Sequence, residues 1–531
     1  MKVSNQFFEQ TKKIANDFIQ SIIFIDDEAN NAQSEGGDHQ LNSLEITKGF
    51  AMSHKICAVY SPSDEKDVLA LAHICKKADV VVLDWKIDLK LTLPEGTEEV
   101  DAESEDPRGR YTIQIINDVI SDEETGKESL KLIIVYTGET NLWDITDTIY
   151  NSLSQIEHIQ KDDFSVFSNN FKILIVGKPT LKAKHIPEIE NRIIDWNQLP
   201  DFILCEFTKM TTGLLSSVVL KSLIAVRKKV FRLIKTFPAR MDPAFLSHKA
   251  LLPNPDDAEE QLLDLIGSEI KSILKSYDPG YYLSNDYVKD YIEAYYEDKE
   301  YEFPFDSTSL PSIEIPKTIN RTLLNKFTEQ GIERIFLKKD TPSQERRIFS
   351  SSSHRMIADL YTKNEEESVE SNFQFALLTS VKTNYNPKVE PLLTLGTILR
   401  KDDDSYWLCI QPKCDTVRIE KNRDFLLLSL KKMENYHDGF HFLTKHKKQY
   451  LLFKINYSIY KSQFYKFKAN KNQTVRGVFE NGKVLIKGNT IMEWIGELKN
   501  DFSQSVANVF ASELSRVGMD HSEWLRRFSS F

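Results

Sequence analysis

The chain has 531 residues, 41% of them hydrophobic and 28% charged, with a formal net charge of −11. That length exceeds what one core can serve and implies roughly two to four domains, with ample apolar content to fill them. The acidic balance speaks against a surface that embraces nucleic acid throughout, and five scattered cysteines (Cys57, Cys75, Cys205, Cys409 and Cys414) speak against a disulfide framework.

The N-terminal stretch MKVSNQFFEQTKKIANDF has no apolar secretory segment and reads as an amphipathic helix. Up to residue 237, short apolar runs alternate with helical stretches, the pattern of a parallel sheet with crossover helices. The runs are SIIFID (21–26), KICAVY (55–60), ADVVVLDW (78–85), LKLIIVYTG (130–138) and FKILIVGKP (171–179). Their Val- and Ile-rich composition with little alternation predicts strands buried on both faces. Helices are predicted over 41–53, 64–77 and 110–120, and the acid-rich stretch 94–107 as a solvated loop. A long helix follows from about Thr211 to Phe237, with apolar residues at 215, 219, 223, 226, 230, 233, 234 and 237, and Pro238 ends it.

Beyond a Pro-containing linker (238–256), DAEEQLLDLIGSEIKSILKSY and LSNDYVKDYIEAYYED predict two more helices, and 340–372 is polar and aperiodic. From about Phe373 the pattern turns to strands: FQFALLTSV, PLLTLGTILR, SYWLCIQ, DFLLLSL, QYLLFKI and, after an Asn481-Gly482 turn, KVLIKG. The stripe Ile495, Leu498, Phe502, Val506, Val509, Phe510 and Leu514 predicts a final helix over about 491–516. The expected organisation is an α/β domain over 1–237, a helical middle region over 238–365, and a β-rich, barrel-like domain with a terminal helix over 366–531. No apolar run approaches the roughly 20 residues that span a bilayer, so the chain reads as soluble and cytoplasmic, with no membrane partner.

In an open parallel sheet, function gathers at the carboxyl ends of the strands. There the first run ends in Asp26 and Asp27, the third in Asp84, the fourth in Thr137-Gly138 and the fifth in Lys178-Pro179. Adjacent carboxylates at the mouth of an apolar strand repel unless a cation joins them. Mg2+, a hard ion that takes oxygen ligands, suits Asp26 and Asp27. Asp84 then suits a carboxylate nucleophile toward phosphorus, with Thr137 and Lys178 donating to the phosphoryl oxygens.

The ordered set FIDDE, VVLDW, VYTG and VGKP resembles the receiver domain of bacterial two-component systems, over about 21–237. The resemblance implies a flavodoxin-like five-stranded parallel sheet and phosphate accepted on Asp84 from a sensor histidine kinase. It further implies Mg2+ held by Asp27, Asp84 and the backbone carbonyl of Lys86, with Asp26 acting mainly through water, and a cis peptide at Lys178-Pro179. Two features depart from the common receiver pattern. Long loops surround 30–40, 88–109 and 180–205, and Ile175 stands where many receivers keep a switch aromatic, three residues before the lysine. Enlarged receivers of this kind are similar to those of Detocs-type antiphage operons. There a histidine kinase phosphorylates a receiver-bearing effector, and a second receiver protein can buffer phosphate.

In the second half, 437–476 interleaves aromatics and bases. Alternation predicts strands with Leu451, Phe453 and Ile455 inward and lysines outward; the competing reading is a nucleic-acid surface. His437, His441 and His446 lack the acidic base and clear helix of a zinc site, and Asp402 to Asp404 read as a solvated turn. An Asp-x-Asp nucleophile of the haloacid-dehalogenase type is missing from Asp84-Trp85-Lys86, and no separate catalytic domain is recognised. The expected function is a phosphorelay receiver acting as a phosphate sink in a two-component-like antiphage system, sharing its kinase with a receiver-bearing effector. The alternative is a response regulator whose phosphorylation switches a C-terminal effector domain, nucleic-acid binding among the options.

Overall fold

The computed structural model describes residues 6–514 except 31–42, 90–108, 123–128, 180–185, 253, 254, 256, 298, 301–309, 315, 317, 363, 384, 386–388, 437 and 438. The predicted loop 94–107 lies outside the described residues. The chain divides into two compact units, Met1–Glu300 with Thr318–Ile335, and Tyr301–Lys317 with Phe336–Phe531.

The first unit opens with α1 (Gln6–Phe18), β1 (Ser21–Ile25), α2 (Ser43–Met52), β2 (Ile56–Tyr60), α3 (Glu65–Lys77) and β3 (Val80–Leu83). It continues with α4 (Arg110–Ile120), β4 (Lys131–Thr137), α5 (Leu142–Ser152), β5 (Gln160–Asp162), β6 (Ser165–Phe167), β7 (Phe171–Gly177), α6 (Leu199–Thr211) and α7 (Leu214–Thr236). Five strands run parallel in the flavodoxin-like order β2-β1-β3-β4-β7. The hairpin β5–β6 then extends the sheet antiparallel beyond β7, to seven strands where five are predicted. Its strands are three residues long and Gln160–Asp162 is exposed, too short and polar to stand out as a buried run.

Because successive strand side chains point to opposite faces, the uninterrupted Val/Ile runs fill two cores at once. Ile23, Ile25, Val81, Leu83, Ile133 and Val135 pack with α3, α4 and α5. Ile22, Phe24, Val80, Val82, Ile134 and Tyr136 pack with α1, α2 and α6. β2 is an edge strand and leaves Ile56 exposed. Lys131, at the start of the apolar β4, is buried because its ammonium caps a helix: Nζ donates to the carbonyls of Lys76 at 2.6 Å, Ala78 at 2.5 Å and Cys75 at 3.3 Å, at the negative end of α3.

The helix predicted from Thr211 is two helices, since α6 and α7 meet at Thr212-Gly213 with a bend of 120°. Most of the predicted stripe on α7 faces water, while Ser217, Leu220, Ile224 and Ala225 are buried. The unit ends with α8 (Asp242–Leu251), α9 (Asp257–Ser276), α10 (Asn285–Tyr295), the pair β8 (Lys299–Glu300) and β9 (Thr318–Ile319), α11 (Arg321–Gln330) and α12 (Ile332–Phe336), the last residue of which belongs to the second unit. Among the described residues no single helix is long and apolar enough to cross a membrane.

The second unit has α13 (Ser343–Leu360) and α14 (Glu365–Ser380), then β10 (Thr397–Arg400), β11 (Tyr406–Cys409), β12 (Asn422–Met433), β13 (Phe442–His446), β14 (Gln449–Ile455), β15 (Ser462–Lys468), β16 (Gly477–Glu480), β17 (Lys483–Ile486), β18 (Met492–Glu497) and α15 (Asn500–Leu514). Three expectations are corrected here. The polar stretch 340–372 is largely helical, and FQFALLTSV up to Ser380 belongs to α14 rather than to a strand. Asn364 accepts the Glu367 N–H at 2.8 Å and Glu365 to Glu367 line the first turn, so cap and dipole outweigh the strand-like Phe/Leu run. The final helix also starts later than predicted, because Met492–Glu497 pairs with β10 and β17. Ile495 and Leu498 fit the helical stripe in sequence and still reach the same core as Val506 and Phe510.

The nine antiparallel strands follow the order β13-β14-β12-β11-β10-β18-β17-β16, with β15 on β12. Phe467 of β15 bridges to Gly488, which curls the sheet toward a half-barrel. Asn481 and Gly482 turn β16 into β17 with φ of 51° and 72°, and Asp402 to Asp404 make the solvated turn between β10 and β11, both as predicted.

Candidate functional site

Parallel pairing brings the chemistry-bearing strand ends to one edge of the first sheet. Ile25 pairs with Leu83, Leu83 with Val135 and Thr137 with Gly177, so the residues that follow emerge together. The ladder continues one bond further: the Asp26 N–H donates to Tyr60 O at 3.0 Å, Asp84 N–H to Ile25 O at 2.8 Å, and Lys178 N–H to Thr137 O at 2.6 Å. Asp26, Asp84, Thr137 and Lys178 are thereby fixed by sheet geometry and all buried.

Lys178 Nζ bridges two carboxylates, Asp26 Oδ2 at 2.8 Å and Asp84 Oδ2 at 3.2 Å. Asp26 is fully buried, and its Oδ1 accepts the Glu28 N–H at 2.9 Å. Asp84 Oδ1 accepts its neighbour's N–H, from Trp85, at 2.9 Å. Asp27 opens a single 3-10 turn and is half-buried, and its carbonyl accepts the Ser61 hydroxyl at 2.8 Å. One oxygen from each of Asp26, Asp27 and Asp84 lies within 4.8 Å of the others, the one such group among the described residues.

Burial pushes the Asp84 carboxyl up to about 7, opposed by Lys178 and reinforced by the charges of Asp26 and Asp27. Burial likewise raises Asp27 to about 6, with Asp26 adding to it and the Asp88 N–H opposing. For Lys178, burial alone would favour the neutral amine, but Asp84 and Asp26 outweigh it and hold the ammonium above its usual range. Three carboxylates against one ammonium leave this cluster short of positive charge. A divalent cation fits that deficit, and the donors are all hard oxygens. Asp27 and Asp84 line a cleft of about 480 Å³ together with Glu28, Lys86, Asp88, Thr137, Glu139, Thr140 and Lys178, while Asp26 lies behind it.

Thr137 is buried at the cleft, where its hydroxyl oxygen accepts the Glu139 N–H at 3.1 Å. Lys86 lines the same cleft, and its ammonium pairs with Asp88 at 2.6 Å. The structure also shows supports that no sequence signal marks. Thr112 of α4 donates its hydroxyl to the carbonyl of Asp84 at 2.6 Å. Trp85 packs against Gly109, where any Cβ would stand 2.3 Å from the indole and where φ is +88°.

One implication of the receiver resemblance is corrected. The Lys178-Pro179 peptide is trans, not cis; the lysine is oriented by its own N–H bond to Thr137 and by the two carboxylates it bridges. Ile175 is fully buried in the core beneath α3, α4 and α5, and its N–H donates to Phe164 O at 2.9 Å.

In the second unit, Leu451, Phe453 and Ile455 are buried and Lys454 is exposed, as alternation predicts, although Tyr460 and Phe464 face water. His441 Nδ1 accepts the Ile455 N–H at 3.0 Å and His446 Nε2 lies 3.4 Å from Glu493, so these two serve separate partners; His437 lies outside the described residues. All five cysteines are free thiols.

Residues 18–183 match the family model of the response receiver domain. Searches of curated proteins and of solved structures returned no match.

Proposed function

We propose, on the premise that residues 18–183 form an enlarged response receiver domain of two-component phosphorelay signalling, that Asp84 accepts a phosphoryl group from a histidine kinase and that the chain serves as a phosphate sink. The observation that supports this is the convergence of Asp26, Asp27, Asp84 and Lys178 on one cleft at the strand ends.

In the transfer, an Asp84 carboxylate oxygen bonds to phosphorus while the donor's P–N bond breaks. The electron pair returns to the donor imidazole, which takes up a proton. Asp84 must be ionised to attack, and the ammonium of Lys178 favours that form against the cost of burial. Once Asp84 carries the phosphoryl group as an acyl phosphate, Lys178 is free to hold a phosphoryl oxygen, and Asp26 keeps it aimed at the cleft. Thr137 ends the adjacent strand and lines the cleft, and would donate its hydroxyl to a second oxygen. Mg2+ would be held by Asp27, Asp84 and the backbone carbonyl of Lys86, with Asp26 acting through water, and would neutralise charge on the phosphoryl oxygens.

The sink reading draws on Ile175. A buried aliphatic side chain offers Thr137 no aromatic partner whose rotation could carry the phosphorylated state to a surface. The antiphage setting draws on the resemblance to Detocs-type operons, with a sensor histidine kinase and a receiver-bearing effector as partners and the chain itself cytoplasmic.

Intact-mass measurement of wild type and Asp84→Asn, each incubated with Mg2+ and acetyl phosphate or phosphorylated kinase, tests the acceptor. One phosphate on wild type and none on the variant is expected; no phosphate from a competent donor would end this reading. Hydrogen exchange with and without phosphate then separates sink from switch. A sink leaves exchange beyond residue 237 unchanged, whereas a response regulator with a C-terminal effector alters it.

A further inference from the structure

We infer that Thr112, in the first turn of α4, is a positioning residue for the acceptor and cation site: its hydroxyl holds the bend at Trp85 that leads from Asp84 to Lys86 at the cleft. The inference rests on the reading of Asp84 as a phosphoryl acceptor with Mg2+ beside it, and adds to that site a residue that is neither acceptor nor ligand.

Other buried threonines in the helices of this unit bond back along their own helix. Thr146 donates to Leu142 O at 2.9 Å, Thr208 to Leu204 O at 2.6 Å and Thr211 to Phe207 O at 2.9 Å, each to the carbonyl four residues before it. Thr112 instead reaches out of α4. Fully buried, it meets the carbonyls of Asp84 at 2.6 Å and Trp85 at 3.2 Å, 28 and 27 residues away in sequence. A hydroxyl has one proton to give, so the shorter bond, to Asp84, is the principal one. Two consecutive carbonyls that face one hydroxyl cannot belong to an extended strand, and the backbone does bend at Trp85, just past the end of β3.

The element that carries Thr112 is firmly seated. Ile115, Ile116 and Val119 of α4 are fully buried in the core shared with β3 and β4, and the Tyr111 hydroxyl donates to Glu65 of α3 at 3.4 Å. Gly109, which caps α4, lies so close to the Trp85 indole that no side chain fits between them. Beyond the bend, Ile87 enters the same core and the Asp88 N–H meets the Asp27 carboxylate. Residues 84–88 are thus held by α4 at one end and by a member of the acidic pair at the other.

The consequence is geometric. The Asp84 carboxylate and the Lys86 carbonyl can serve one cation only while the peptides between them keep one conformation. A segment already fixed in that conformation binds more tightly, because no ordering cost is left for the moment of binding. Removing the hydroxyl takes a donor from the buried Asp84 carbonyl, and the bend can recover one only by shifting Asp84 against Lys86. Groups that hold a metal's ligands in place typically change its affinity by about 10–100-fold when they are lost.

Calorimetric titration of Mg2+ into the unphosphorylated full chain tests this on wild type, Thr112→Val, Thr112→Ser and Gly109→Ala, with circular dichroism as the check on folding. Thr112→Val keeps the side-chain volume and loses the hydroxyl, and is expected to weaken Mg2+ binding by about tenfold or more. Thr112→Ser keeps the hydroxyl and should bind as wild type does. Gly109→Ala leaves the hydroxyl in place but forces the start of α4 off the indole, and should weaken Mg2+ in the same sense. Phosphate uptake from acetyl phosphate should slow in Thr112→Val and stay slow at saturating Mg2+. Wild-type Mg2+ affinity in Thr112→Val or in Gly109→Ala overturns the inference, as does a Thr112→Ser that loses as much as Thr112→Val, or a wild type that binds no Mg2+. The two readings fail separately. A wild type that binds Mg2+ but takes no phosphate ends the acceptor reading and leaves the Thr112 comparison standing, whereas a Thr112→Val that matches wild type in both ends only this inference.

Discussion

Each unit gathers charges around a buried carboxylate, and the two groups are composed in opposite proportion. In the first, Asp26, Asp27 and Asp84 share the ammonium of Lys178. In the second, Glu493 alone is approached by Arg400 at 3.3 Å, His446 at 3.4 Å and Lys483 at 3.9 Å. Burial holds His446 below its usual range and so favours the neutral ring, yet two cations still face one carboxylate. Their settings differ as well. The first cluster stands where parallel strands end and the backbone is free to turn toward a ligand. Glu493 sits inside a strand, paired with Arg400 on one side and Leu485 on the other. A buried charge cluster thus marks a ligand site by its excess of carboxylate and by its place at a strand end, whereas a carboxylate amply matched by cations inside a ladder fixes register.

Substitutions that alter the balance should separate the two clusters. The largest contrast is in phosphate incorporation by intact mass: Asp84→Asn is expected to abolish it and Glu493→Gln to leave it unchanged. Next, Lys178→Met leaves Asp26 and Asp84 buried without their cation, and should cost the first unit about 3–5 kcal/mol in denaturant titrations in EDTA. Lys178→Met combined with Asp26→Asn should recover much of that loss; if it does not, packing rather than charge explains the cost.

A smaller effect is expected from pH. The carboxyls of Asp27 and Asp84 are raised in the folded chain to about 6 and about 7. Above the unfolded value near 4, the folded chain therefore holds more protons than the unfolded one, so stability in EDTA should fall as pH rises through this window. Asp27→Asn removes its share, and should exceed wild type at pH 7.5 by about 1 kcal/mol once solvent screening of a half-buried group is allowed for. Added Mg2+ should reverse that order; equal stabilities with and without the metal would argue against a cation at Asp27. Smallest are Thr112→Val, expected to cost about 1 kcal/mol for one hydrogen bond to the Asp84 carbonyl, and Glu493→Gln, about as much because Arg400 keeps Asp404 at 2.8 Å.

The balance of the first cluster could be read in the sequence because Asp26, Asp84, Thr137 and Lys178 each terminate an apolar run, and parallel pairing aligns such ends. What escaped reading depends on partners distant in sequence or on short polar elements. Thr112 meets Asp84 through a backbone carbonyl, which has no residue signature. Lys131 lies in an apolar run because three helix-end carbonyls await it. FQFALLTSV satisfies strand composition, and Asn364, outside it, decides for helix. On α7 the stripe was legible, but its spacing is blind to which face meets the protein and which meets water.

Trp85 gives the molecule an optical readout of its own. One peptide bond from Asp84 and pressed onto Gly109, this indole is almost wholly shielded from water. Any change in charge on the adjoining carboxylate acts directly on its excited-state dipole. With the other five of the six tryptophans replaced by phenylalanine, its emission would follow occupancy of the acceptor in real time, without label or gel.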